Sequence, residues 1–327
     1  MRFELTPSEH PGNGLRRVAK ALVADAVAQL DDPGVPTDEA VHEARKDMKK
    51  LRGLLRLVRP AAPALYKTEN KAFRDAAAHL SDVRDADVAL ETFDLVLQRA
   101  QPDSKPGADF ASSATPPRLL DEAEPTALDA LRATLAEYRD ETRQGADDVN
   151  TRLEGFRSRL LEARERIPDW RLPSTKDPEH HFALLGPGLQ KTYKRGRKAM
   201  AKAYQDPSVE AFHEWRKRTK YFGYHLRLLR PGWPRLLKAQ QKEIKQLQSL
   251  LGDDHDLAVL GEILTDLFKD EPMASGAYEA QLALQREMHR QSQLLRRHAR
   301  RLGELLYAER PKALRRRLGA YWRAYSY

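Results

Sequence analysis

The chain has 327 residues, too many for one ordinary core, and its 41% hydrophobic and 32% charged residues describe a folded protein of about two domains with many solvated faces. Zero cysteines exclude disulfides and thiolate-bound metal and fit a reducing compartment; residues 1–14 lack a signal-peptide core and no run of about 18 apolar residues exists, so a cytoplasmic protein is expected. The net charge of +9 hides a split: residues 1–167 carry 26 Lys+Arg against 30 Asp+Glu and residues 168–327 carry 31 against 18, so cationic surface in the first half has to be local.

Helical spacing runs along the whole chain, and no sustained alternation of β-branched residues marks a strand. Leu15, Val18, Leu22, Ala26 and Leu30 predict a first helix, stopped by Asp31-Asp32-Pro33-Gly34. Thr37 or Asp38 is placed to cap a second helix, which ends at Pro60. A third is expected from Ala64 to Leu80 and a fourth from Asp85 to Gln98. Residues 101–126, rich in Pro, Ser, Ala and Asp, predict a flexible loop. One long helix is expected from Ala127 to Ile167. Pro168 to Gly188, with four prolines and a turn-like Gly186-Pro187-Gly188, then divides a first helical repeat, residues 1–167, from a second, residues 168–327. Leu189 to Tyr204 predicts a helix, and Asp206-Pro207-Ser208 opens the next with Pro in its first turn.

Two of these helices are alike. VHEARKDMKKLRGLLRLVRP, Val41 to Pro60, and FHEWRKRTKYFGYHLRLLRP, Phe212 to Pro231, share His-Glu, Arg-Lys, a lysine at 49 and 220, an arginine at 56 and 227, and a terminal Arg-Pro. The offset of 171 persists into the following segments, KAFRDAAAHLSDVRDADVAL from Lys71 and KEIKQLQSLLGDDHDLAVL from Lys242, which predicts an internal duplication. Wound at about 100° per residue, the first copy puts His42, Arg45, Lys46, Lys49, Arg52 and Arg56 within roughly 120° of arc, opposite Ala44, Met48, Leu51, Leu55 and Val58. Like charges three and four apart make this face cost the isolated helix about 1–3 kcal/mol, a cost that a bound polyanion would remove.

The paired His-Glu-x-Arg-Lys helices, with the LSDVRDADV and LGDDHDLAV segments, resemble the CHAD family (conserved histidine α-helical domain) from about Gly14 to Tyr307. The resemblance implies an all-α fold: two four-helix-bundle repeats related by a pseudo-twofold, together one domain, around a basic central pore that binds inorganic polyphosphate without catalysis. Two positions depart from the pattern. His255 stands opposite Arg84, and Gly223 opposite Arg52. The Glu-x-Glu-x-Lys strand of the catalytic domain often fused to such proteins has its nearest match at Glu122-Ala-Glu124-Pro-Thr126, which lacks the lysine, so no catalytic partner is expected.

Polyphosphate offers negative charge and no base or sugar, so a row of Lys and Arg suits it and stacking aromatics are not needed. Single exposed ion pairs contribute about 0–1 kcal/mol, so many must act together. The expected lining is the first arc, its counterparts His213, Arg216, Lys217, Lys220 and Arg227, Arg17 and Lys20 from the first helix, Lys191, Lys194, Arg195 and Lys198 from its counterpart, and the matched pairs Lys71/Arg74 and Lys242/Lys245. His42 and His213 would gain charge near pH 6.5 if they meet ligand; packing at a helix start is the other reading. The alternative partner is nucleic acid, for which no recognition motif is present. Association with polyphosphate granules is expected, and no metal or cofactor. Asp85 and Asp256 are read as braces for the helix that follows each, not as metal ligands. Trp215, Tyr221 and Phe222 are expected in the core, away from the basic centre. The arginines of 296–301 and 315–317 fit either an extended lining or a solvated face.

Overall fold

Eleven α-helices and no strand are present among the described residues, which in this computed structural model are 3–78, 84–101, 120, 124–144, 149–173, 177, 180–269 and 275–325. They are α1 (Pro11–Asp31), α2 (Thr37–Val58), α3 (Pro63–Ala78), α4 (Arg84–Ala100), α5 (Pro125–Gln144), α6 (Val149–Arg166), α7 (His181–Gln205), α8 (Val209–Leu228), α9 (Pro234–Leu267), α10 (Ser275–Leu306) and α11 (Pro311–Ala324). None of these helices is long and apolar enough to cross a membrane.

Contacts between helices divide the chain into two compact units, and each takes residues from both sequence halves. The first holds residues 1–81, 148–248 and 300–327; the second holds 82–147 and 249–299. In the first unit α1 pairs with α2 and α7 with α8, while α2 also packs against α3, α7 and α8. Ala44, Met48, Leu51, Leu55 and Val58 are buried as the helical spacing requires. Leu54 and Leu57 are buried too, because α2 has neighbours on most sides beyond Lys50, and its cationic strip there narrows to Arg52, Arg56 and Arg59. Around α8, Trp215 and Phe222 are fully buried; Trp215 packs with Tyr204 and Phe212, and Phe222 with Tyr193 and Tyr307. Such ring pairs contribute about 0.5–1.5 kcal/mol each beyond their burial. In the second unit α4 pairs with α5, Arg132 forking onto Asp94 at 2.7 and 2.9 Å, and Arg99 reaches Asp253 at 2.7 Å.

Several boundaries differ from the expectations. Gly186-Pro187-Gly188 is not a turn; it lies inside α7, which begins at His181. The reason is close approach: a Cβ on Gly188 would sit 1.8 Å from the Leu57 carbonyl oxygen, so glycine is what lets α7 lie on α2. The expected long helix from Ala127 is two, α5 and α6, and they belong to different units. The N-cap of α2 is Pro36, with no side-chain capping bond, so Thr37 opens the helix instead of capping it. Pro207 lies outside α8; its N-cap is Ser208, whose hydroxyl accepts from the Ala211 N–H at 3.1 Å. Asp256 braces no following helix, since it sits in the middle of α9, where Leu247, Leu250, Leu251, Leu257, Leu260 and Leu264 are all buried and outweigh the ~1 kcal/mol cost of Gly252. Most of the predicted loop, 102–119 and 121–123, and the side chains of Arg84 and Asp85 lie outside the described residues.

Candidate anion site

The site begins where α2 crosses α8. Tyr224 packs on Gly53, leaving only 2.9 Å between its ring and the position a Cβ would take. These two residues occupy the same place in the duplicated sequence, 171 apart. One residue on, the fully buried His225 donates its Nε2–H to the Gly53 carbonyl at 2.9 Å, and burial pushes its pKa down to about 4, so the ring is neutral.

Beside this crossing, α2, α7 and α8 border a small solvent-open recess lined by Arg56, Arg59, Lys191, Thr192, Arg195, Arg218 and Tyr221. Arg56 is fixed at its floor: Nη1 donates to the Arg52 carbonyl at 2.8 Å and to Asn70 Oδ1 at 2.9 Å, and the guanidinium lies 3.8 Å over the Tyr221 ring. Arg52 shares the Asn70 acceptor at 3.4 Å, and Arg59 stacks 4.7 Å from the Tyr66 ring. Burial lowers the proton affinity of Arg56, with Arg52 and Arg218 adding to the effect against Tyr221 and Tyr66; burial, then Arg218 and Arg59, lower that of Arg195. Both remain charged, because an arginine pKa starts far above neutrality.

Counter-charge at the recess is confined to its Arg218 edge. Glu214, whose field Arg195 feels, is already engaged by Arg218 and, at 3.3 Å, by Lys217. Among the described residues no carboxylate comes within ion-pair distance of Arg52, Arg56, Arg59, Lys191 or Arg195. A partly buried set of guanidinium forks with no acid to satisfy them matches a phosphate oxyanion, which accepts two parallel N–H bonds from each fork.

Of the predicted site residues the recess brings together Arg56, Lys191 and Arg195, with Arg52 at its edge. Lys194 and Lys198 are exposed on the same helix, and Lys242 and Lys245 are exposed on α9. His213 is flanked on α8 by Arg216, Lys217 and Lys220; burial first, then Lys217 and Arg216, hold its pKa below the usual histidine range. Near the start of α2, Lys46 bonds Glu43 at 2.8 Å and His42 lies 3.7 Å from the same carboxylate, while Arg45 and Lys49 face outward to different degrees. Lys71 and Arg74 share Asp75. Arg17 is bound to Glu9, Lys20 is exposed, and Arg227 lies 5.8 Å from the Phe3 ring.

Four lining residues were not anticipated, Thr192, Arg59, Arg218 and Tyr221. Arg59 carries a signal, since Arg-Pro closes both copies of the repeated helix. Arg218 carries none, because its counterpart is Asp47. Tyr221 corrects an expectation: it does not fall away from the basic centre but forms the surface on which Arg56 rests. Gly223, the counterpart of Arg52, has no room for a side chain, since a Cβ would meet Gln248 Nε2 at 2.2 Å and that amide donates to the Thr219 carbonyl at 3.3 Å. Three of the seven later arginines are in ion pairs: Arg296 with Asp254, Arg300 with Glu304 and Arg317 with Glu309. Among the described residues no group of three His, Asp or Glu side chains could hold a metal ion.

The class the structure defines is an all-helical protein in which two basic helices of matched sequence cross beside a cationic recess. The CHAD domain model matches residues 16–265, about three quarters of the sequence, and the chain belongs to the CHAD family. A solved structure, the crystal structure of the CHAD domain from the plant Ricinus communis, superposes with a TM-score of 0.54 at 20% identity, covering 95% of this chain and 94% of that one, and shows the same fold. No curated protein matches.

Proposed function

We propose that the protein binds inorganic polyphosphate, without turning it over, and that the recess between α2, α7 and α8 is where the chain of phosphates is gripped. The observation that carries this reading is Arg56, a part-buried guanidinium held by neutral acceptors and an aromatic face, next to Arg59, Lys191 and Arg195, none of which has a carboxylate within ion-pair distance among the described residues. Burying a charge without an opposite charge is costly, and the arrangement becomes favourable once a polyanion enters. The exposed lysines of α7 and the outer cations of α2 and α8 extend the same charge along the direction a linear ligand would take. Membership of the CHAD family, which the resemblance links to polyphosphate, supports the choice of anion, and recruitment to polyphosphate granules is the corresponding role in the cell. The duplicated register, with Gly53 against Tyr224, supports a pseudo-twofold between the repeats.

Titrating long-chain polyphosphate, tRNA and duplex DNA of matched charge at two salt concentrations tests the proposal. Polyphosphate is expected to bind more tightly at physiological salt, with a salt slope that reports several phosphate contacts. Equal affinity for nucleic acid would defeat it.

A further inference from the structure

The two sides of the α2–α8 crossing have different fates. Gly188 lets α7 close onto the Leu57 carbonyl; its counterpart in α1 is Arg17, and the counterpart of Leu57 is Leu228. Arginine cannot permit that close approach, and at this place the segment from Phe3 to His10 lies instead, with the Leu5 N–H donating to the Leu228 carbonyl at 2.9 Å. Phe3 and Leu5 anchor the segment, exposed by only 3% and 1%. Its two carboxylates then meet two cations. Glu4 pairs with Arg230, the counterpart of Arg59, and its carbonyl accepts from Arg17 at 3.2 Å; Glu9 pairs with Arg17 and accepts the Thr6 N–H at 2.9 Å. Burial raises the Glu9 pKa, but the Arg17 and Thr6 hydrogen bonds outweigh it and bring the pKa below its ordinary value, so Glu9 is ionised. On the same side Asp47 and Lys50, the counterparts of Arg218 and Tyr221, pair with each other at 2.5 Å.

We infer that residues 3–10 form an internal anion strap, in which Glu4 and Glu9 occupy, on Arg230 and Arg17, a latent phosphate site on the other side of the crossing from the open recess; of its two cations Arg230 matches the recess residue Arg59, and Arg17 matches Gly188. The inference rests on the reading that the open recess binds phosphate. It makes the protein one-sided: the ligand enters by α7, and the opposite face is neutralised from within. Carboxylate on guanidinium is the geometry that phosphate would copy, so removing the carboxylates while keeping Phe3 and Leu5 should expose the cations without unseating the strap.

The test is isothermal titration with tripolyphosphate, short enough to report single sites. Wild type is expected to bind about one equivalent and Glu4→Gln/Glu9→Gln about two, the second more weakly because Arg17 and Arg230 alone hold it. The added equivalent should persist when Arg218→Glu disables the open recess and vanish when Arg17→Ala/Arg230→Ala is added. A folded Glu4→Gln/Glu9→Gln protein that gains no equivalent would overturn the strap. Should that variant lose helix content, Glu4→Gln alone, which releases only Arg230, is read the same way. Absence of binding by wild type would instead strike the open-recess reading, and the gain in the double variant would still be visible.

Discussion

Replacing Arg56 with methionine removes one charge and little packing volume from the centre of the recess. Its two hydrogen-bond acceptors are not stranded: the Arg52 carbonyl keeps its place in the α2 ladder, and Asn70 Oδ1 keeps Arg52 as a donor at 3.4 Å. The lost cation contact with Tyr221 is replaced by a thioether on the same ring, and repulsion from Arg52 and Arg218 disappears. Stability should therefore change by no more than about 1 kcal/mol, which in a protein of this size moves Tm by about 2–4 °C. Binding is a different matter. A charged hydrogen bond to phosphate contributes about 1.5–3 kcal/mol, so polyphosphate affinity should fall about 10- to 100-fold. The slope of log K against log salt should also lose about one unit. Fluorescence titration at several salt concentrations, with circular dichroism melting on the same samples, reads both quantities. Unchanged affinity would refute the recess as the grip, and a collapse of Tm would show that Arg56 is held for the fold.

Lys49→Glu with Lys220→Glu reverses a matched pair on the two basic helices and is expected to abolish polyphosphate binding with helix content intact; loss of helicity would make that face structural. Gly188→Ala drives a methyl into the Leu57 carbonyl and should cost several kcal/mol by denaturant unfolding, whereas Gly155→Ala, with nothing within 4 Å, should be neutral or gain about 0.5–1 kcal/mol. His225 has a folded pKa of about 4 against an ordinary 6.5, so its contribution to stability is complete above pH 6.5 and is lost as pH falls toward 4, by roughly 3 kcal/mol. His225→Gln, which keeps a donor for the Gly53 carbonyl, should flatten that part of the stability profile, and an unchanged profile would move the effect to another group.

What the sequence made legible was whatever depends on period and register. Ala44, Met48, Leu51, Leu55 and Val58 announced their face because a 3.6-residue repeat of apolar side chains has few other uses, and the offset of 171 tied α2 to α8 before any coordinates. Glycine was illegible at 186–188, since the same residue serves a turn and a close helix contact, and only the position of α2 decides between them. Tyr221 was misjudged for a related reason: a buried aromatic can be core on one face and a platform for a guanidinium on the other. Arg59 could have been found from the paired Arg-Pro ends. Arg218 could not, because matching the two copies discards positions where they disagree, and 218 disagrees with 47 in the sign of its charge.

Those disagreements are where the two sides of the crossing differ in charge. Two identical basic helices crossing at Gly53 and Tyr224 would bring two cationic faces together and add their self-repulsion, each face already costing about 1–3 kcal/mol. The recess joins Arg56 and Arg59 of the first copy to Arg218 of the second and Arg195 of α7, whose counterparts are Asp47 and Ala24; the other side is offset by Asp47, Glu4 and Glu9. The shared register of α2 and α8 accounts for the cations the two helices have in common. Where the two helices differ, the balance of charge differs with them: a crossing of two cationic faces is stable only if part of the charge is compensated, and this chain compensates one side while leaving Arg56, Arg59 and Arg195 without a carboxylate among the described residues on the other.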